Sequence, residues 1–195
     1  MLAKFIRLVL ANVKKVKVVA VIGNHGRIGK KGQYHPETNT DRMCYLVTRT
    51  ILADEIESGR LVFEFAEPGN SGERGWWSLD EIGNYSCLLV HGDQFRGSLG
   101  VPWYGIRKKV LGWAAMGHNP DLPFPRFQDL AFGHWHQPVN WTINGIGCRG
   151  CGSTESANDY AAEQLAGMGR PSQRVMFVQP EAGHVTAEYP EVWLD

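Results

Sequence analysis

The chain reads as an α/β protein on three observations. Apolar runs at residues 16–22 and 86–90 have the length and composition of buried strands. Residues 2–13 carry Leu2, Phe5, Ile6, Val9, Leu10 and Val13 at helical spacing, with Lys4, Arg7 and Asn12 between them and Lys14 beyond. Three histidine clusters, Gly23-Asn24-His25, His91-Gly92-Asp93 and Gly133-His134-Trp135-His136, follow strand-like segments in turn, the third after the stretch 127–132. In open α/β sheets the strand ends are where loops converge and ligand sites assemble.

The elements follow in order. Helix 2–13 begins without an N-cap residue and runs through Lys14-Lys15-Val16-Lys17, a solvated helix end, into strand 16–22. Residues 39–57 predict a helix with Asn39 or Thr40 as N-cap, Met43, Leu46, Val47, Ile51 and Ile56 as its apolar positions, and Gly59 ending it. Residues 61–65 are a strand, and 68–75 a Gly-rich loop before Trp76 and Trp77. Residues 104–116 form the helix joining the second and third clusters. Residues 140–146 and 173–179 read as strands, and 184–189 closes a hairpin with the latter. The excursion 158–171, with Tyr160 and Gly169-Arg170-Pro171, is placed to cap the site.

Length and composition allow one domain over residues 1–195, with 43% hydrophobic residues for a core and 23 Gly and 10 Pro for turns. Equal numbers of basic and acidic residues, 20 each, leave a formal charge of zero and no global attraction to nucleic acid or membrane. Residues 1–21 alternate apolar side chains with Lys and Arg and lack the continuous core of a signal peptide. No stretch reaches the ~20 apolar residues that cross a bilayer. A cytoplasmic location without membrane partners is expected. Cys44 and Cys87 read as inert packing residues. The Cys148-Arg149-Gly150-Cys151 pair has no second C-x-x-C and no thioredoxin-like context, which disfavours a redox pair or half zinc site. Ser153 has no G-x-S-x-G around it, which disfavours serine chemistry.

The clusters point to a metal site. Neutral imidazoles and an Asn carbonyl suit first-row divalent ions, and His-x-His on an extended segment aims two rings to one side. A metal there could polarise a phosphoryl oxygen and lower the pKa of its water from about 15.7 toward about 7. Arg27, Lys30 and Lys31 follow the first cluster, and Arg96, Arg107, Lys108 and Lys109 the second, so both sets offer phosphate contacts, with Arg27 and Arg96 the foremost. Trp103, Tyr104, Trp135 and Trp141 are aromatics able to stack on a nucleobase, although Trp135, between two candidate ligands, better suits packing.

In this order the motifs G-N-H, H-G-D and G-H-x-H resemble the calcineurin-like metallophosphoesterase family over residues 16–155. The resemblance implies a two-sheet α/β sandwich flanked by helices in α/β/β/α layers, lacking its first βα units. It implies Asn24, His91 and His134 on one metal, His136 on the other, and His25 as general acid. It also implies hydrolysis of a phosphate ester by a metal-activated hydroxide. Mn²⁺ is the expected ion, with Zn²⁺, Ni²⁺ or Fe²⁺ as alternatives. The arginines and aromatics near the motifs, and a tail from Gly152 similar to the nuclease-like branch, favour a nucleic-acid phosphodiester.

The family's D-x-H and G-D-x-x-D do not occur. No Asp, Glu or His precedes His25, the first acidic residues being Glu37 and Asp41, and Gly26 and Arg27 stand where the family often has a carboxylate. The chain is therefore expected to be N-terminally incomplete, with a genuine short variant as the alternative. A complementing N-terminal polypeptide would make it half of a split enzyme. The competing functional reading is a catalytically silent metal-binding or interaction module. Sheet edges left unpaired by missing strands would favour self-association.

Overall fold

The computed structural model describes residues 1–66, 75–97, 100–155, 159, 162–163 and 170–194. The chain divides into two compact units, Met1–Ser78 and Leu79–Asp195, described in turn.

The first unit contains α1 (Leu2–Leu10), β1 (Val16–Ala20), α2 (Thr40–Ile51), α3 (Ala53–Glu57) and β2 (Leu61–Phe65). β1 and β2 are parallel, from Val16 opposite Leu61 to Ala20 opposite Phe65. Ile6, Leu10, Leu52, Leu61 and Phe63 form the core, with Val16, Val18, Tyr45, Ile56 and Phe65 packed against it. At the end of α1 the Arg60 guanidinium donates to the carbonyl of Leu10, which the helix itself leaves without a partner, and to that of Val13 just beyond it. Arg7 and Glu55, 2.6 Å apart, join α1 to α3.

The expected helix 39–57 starts where its cap predicts, the Asn39 side chain accepting from Asp41 N–H at 2.8 Å. It is interrupted at Leu52, whose φ of −104° and ψ of 24° separate α2 from α3. Its buried face also differs. Thr48 and Leu52 point into the core and Tyr45 meets the rings of Phe63 and Phe65 at 6.3 and 5.5 Å, while Met43, Val47 and Ile51 are exposed. The α2 sequence carries apolar residues on two faces, and β2 settles which one is covered because its aromatic side chains receive Tyr45. α1 buries Ile6 and Leu10 in the same core and leaves Leu2 and Phe5 exposed, and Val13, expected within this helix, lies exposed beyond its end. Cys44 is exposed on α2 and is not the packing residue expected.

The second sheet uses β3 (Trp77–Ile82), β4 (Tyr85–Val90), β5 (Asp129–Phe132), β6 (Val139–Ile143) and β7 (Ile146–Gly150), in the order β3-β4-β5-β7-β6. β4, β5 and β7 run parallel, and β6 is antiparallel to β7. α4 (Trp103–His118) connects β4 to β5 and buries Ile106, Val110 and Trp113. The expected strand 140–146 is in fact β6 and the start of β7. The chain reverses at Asn144-Gly145, whose φ values of 49° and 84° belong to a two-residue hairpin turn. β8 (Ser172–Gln179) and β9 (His184–Trp193) form the antiparallel hairpin expected there. Most of loop 68–75 and most of the excursion 158–171, Tyr160 and Gly169 included, lie outside the described residues. Among the described residues no helix is long and apolar enough to cross a membrane.

An ionic network joins the β8–β9 hairpin to the sheet. Arg149 of β7 lies 2.7 Å from Asp129 Oδ2 of β5 and donates through Nε to Glu188 Oε2 of β9 at 2.8 Å. Arg174 of β8 is 3.2 Å from the same Glu188 oxygen and donates to Val139 O at 2.6 Å. Tyr85 Oη and Gly147 N–H complete the Asp129 carboxylate, at 2.8 and 2.9 Å. Burial by itself raises the Glu188 carboxyl, but hydrogen bonds from Arg149 and Asn140 and the charges of Arg149 and Arg174 outweigh it and hold it below its ordinary value.

Two outcomes are expected. Leu52→Ala lowers stability by about 2–5 kcal/mol in urea denaturation, while Val47→Ala stays within about 0.5 kcal/mol; the reverse ranking would mean that α2 buries its other face. Because the Glu188 carboxyl is depressed, its contribution is present above its ordinary value of 4.5 and is lost as pH falls through the folded value. Thermal melts of Glu188→Gln should therefore fall below wild type at neutral pH and converge with it under acid. A constant gap across pH would contradict this.

Candidate functional site

The first cluster sits on the loop leaving β1. Asn24 and Arg27 are half-buried and His25 is exposed. Arg27 N–H donates to Asn24 O at 3.3 Å, closing a turn that carries His25 at its tip. The first residues of α2 hold this loop. Asn39 Nδ2 donates to Gly23 O at 2.9 Å, Gly23 N–H to Asp41 Oδ2 at 2.8 Å, and Thr40 N–H to Gly26 O at 2.7 Å. Tyr45 Oη donates to Val21 O at 2.8 Å, and burial pushes its phenol up to about 12. Gly26 has to be a glycine, since a Cβ there would overlap Asn39 Oδ1 and lie 2.5 Å from Asp41 Cγ. Asn39, Thr40, Asp41 and Tyr45 are site-forming residues that sequence reasoning did not single out. The Asn-Thr-Asp cap was visible, but nothing local shows that it grips a loop sixteen positions earlier.

The second and third clusters lie on neighbouring loops of the second unit. β4 and β5 end in register, Val90 opposite Phe132, so His91 and Gly133 leave the sheet together and Gly133 N–H donates to His91 O at 2.9 Å. Gly92 adopts φ 114°, and a Cβ on it would stand 2.7 Å from Gly133 O. Trp135 Nε1–H donates to Gly92 O at 3.2 Å, which ties the third cluster to the second. Phe95, buried against Trp113 and Phe132 with centroids at 5.8 and 5.1 Å, anchors the His91 loop to the core. The outcome is a direct meeting of two imidazoles, His134 Nδ1 and His91 Nε2 being 3.2 Å apart.

The His134-Trp135-His136 segment is not extended as expected. His134 and His136 have φ of 69° and 55°, and Trp135 N–H donates to Gly133 O at 2.8 Å. The chain turns sharply here to leave β5, so the ring directions follow from this turn and not from strand alternation. Left-handed backbone at two non-glycine residues is strained, and such strain persists where the surroundings enforce it, often at functional sites. His136 and Arg96 are exposed. Trp103 and Trp141 pack edge to face at 5.3 Å, while Tyr104 stands exposed.

The donor set fits a divalent ion in part. Two nitrogens at about 2.0–2.1 Å from one ion and near-tetrahedral to each other lie about 3.1–3.4 Å apart, which the His91–His134 spacing matches. Among the described residues, however, no three His, Cys, Asp or Glu side chains gather at one point. The cysteines add no ligands to this pair of histidines. All four thiols are free, and burial pushes Cys87 and Cys148 each up to about 12.

No family model matches the chain, and neither does any curated protein. Solved structures similar to it include Vps29 of Entamoeba histolytica complexed with Zn²⁺, at 19% identity over 83% of this chain and 86% of that one, with a TM-score of 0.41. Another is a conserved Streptococcus pneumoniae protein described as a predicted phosphoesterase, at 17% identity over 67% and 69% of the two chains, with a TM-score of 0.35. Likeness at this level says nothing about activity.

Gly92→Ala is expected to cost about 1–3 kcal/mol in chemical denaturation, through its left-handed backbone and the Gly133 carbonyl facing it. An unchanged midpoint would show that the two loops do not meet as closely as described.

Proposed function

We propose that the chain is a metal-dependent hydrolase of phosphate esters, acting on phosphodiesters of the nucleic-acid type. The observation that carries this reading is the His91–His134 pair, 3.2 Å apart at the ends of two adjacent parallel strands. The roles follow the motif resemblance. By that resemblance Asn24 is a ligand in the first unit, while in the second His91 and His134 would hold one divalent ion and His136 another. When bound, such ions supply Lewis acidity and a hydroxide at neutral pH. His25, exposed at the tip of a held turn, would give its proton to the leaving oxygen; an imidazole does this near neutrality with little tuning. Arg27 and Arg96 would contact the phosphate, their fixed charges suiting its oxygens.

A second reading is favoured by a specific observation. With no three acidic, His or Cys side chains gathered among the described residues, the chain would bind metal weakly by itself. It would then serve as a silent metal-binding or interaction module, or as half of a split enzyme.

Titration calorimetry with Mn²⁺ and Zn²⁺, together with hydrolysis of bis(p-nitrophenyl) phosphate, separates these readings. Enzymatic function predicts metal-dependent turnover that His25→Ala lowers by about 10²–10⁴-fold. It also predicts metal affinity weakened at least about tenfold in His134→Ala. Metal binding without turnover would favour the silent module. Neither binding nor turnover in the folded chain would sink the autonomous enzyme.

A further inference from the structure

Residues at the start of α2 hold the loop bearing His25, and one of them, Asp41, is charged. Asn39 and Thr40 act through neutral groups on Gly23 O and Gly26 O, and Tyr45 through its phenol on Val21 O. Asp41 acts through a carboxylate that accepts Gly23 N–H at 2.8 Å. A hydrogen bond to an ionised acceptor is shorter and stronger than a neutral one. The same carboxylate also fills the space a side chain at position 26 would occupy, its Oδ1 and Cγ lying 2.6 and 2.5 Å from where a Cβ would stand. Asp41 therefore bonds the start of the Gly23–Gly26 turn and stands where a side chain on the residue after His25 would otherwise be.

We propose that Asp41 is a positioning residue for His25, setting the turn that presents the imidazole. This rests on the reading of His25 as proton donor. Asp41 does not touch the substrate; it acts by restricting where the ring can go. Backbone misplacement of about 1 Å at a reacting group can cost about 10²-fold in rate, so a single anchor matters.

The test uses the full chain as wild type, Asp41→Ala, Asp41→Asn, His25→Ala and the double variant His25→Ala with Asp41→Ala. Two readouts are taken: Mn²⁺-dependent hydrolysis of bis(p-nitrophenyl) phosphate, and amide hydrogen exchange over residues 22–27 compared with 43–51. Asp41→Ala should lower kcat by about 10–100-fold with KM unchanged, and should add no further loss in the His25→Ala background. Exchange at Gly23 should accelerate while 43–51 stay protected. Asp41→Asn, which keeps an acceptor but loses the charge, should fall between wild type and Asp41→Ala in both protection and rate.

An equal loss from Asp41→Ala with and without His25 would overturn the assignment, since the residue would then act elsewhere. Unchanged exchange at 22–27 would overturn it as well. If the wild type shows no turnover, the functional reading fails, and the exchange comparison alone decides whether Asp41 holds the turn.

Discussion

Much of the candidate chemistry depends on the in-register ending of parallel strands. β4 and β5 stop side by side at Val90 and Phe132, and β7 reaches Gly150 opposite Phe132. Parallel strands deliver their following loops to one edge of the sheet, so His91 and His134 meet although 43 residues separate them. The close approach then imposes local demands: a glycine at 92, and a Trp135 indole bonded across to the Gly92 carbonyl.

The first unit solves a similar problem by different means. Its G-N-H turn follows a strand, but the next element in sequence, α2, shapes it. The four positions Asn39, Thr40, Asp41 and Tyr45 satisfy polar groups on Val21, Gly23 and Gly26. A loop with its backbone groups paired to a helix start is held in one conformation, and His25 projects from it into solvent. In the second unit the Asp129–Arg149–Glu188–Arg174 network is a further polar device. It attaches the β8–β9 hairpin through largely buried charges, each lying beside one of opposite sign.

Some of this could be read residue by residue. Alternating helices and strands, the Asn39 cap, the 184–189 hairpin and the position of each histidine cluster after a strand are local signals. They survive because they rest on periodicity and turn chemistry. The division at Asn144-Gly145 is equally local, an Asn-Gly pair between Ile143 and Ile146 being a hairpin-turn signal within the expected strand 140–146. The buried face of α2 was not legible, because Met43, Val47 and Ile51 are as apolar as the positions the core covers. β3 has no clear strand pattern of its own, since Asp80 and Glu81 interrupt the apolar residues after Trp77.

By itself the sequence determined the α/β character, the order of the elements and the identities of the candidate ligands, since these follow from residue chemistry and spacing. Only the tertiary structure decided which face of each helix is covered, that His91 and His134 touch, and that Asp41 grips the His25 turn. These are contacts between positions distant in the chain. Their geometry depends on strand register and backbone reversal, which no local pattern encodes.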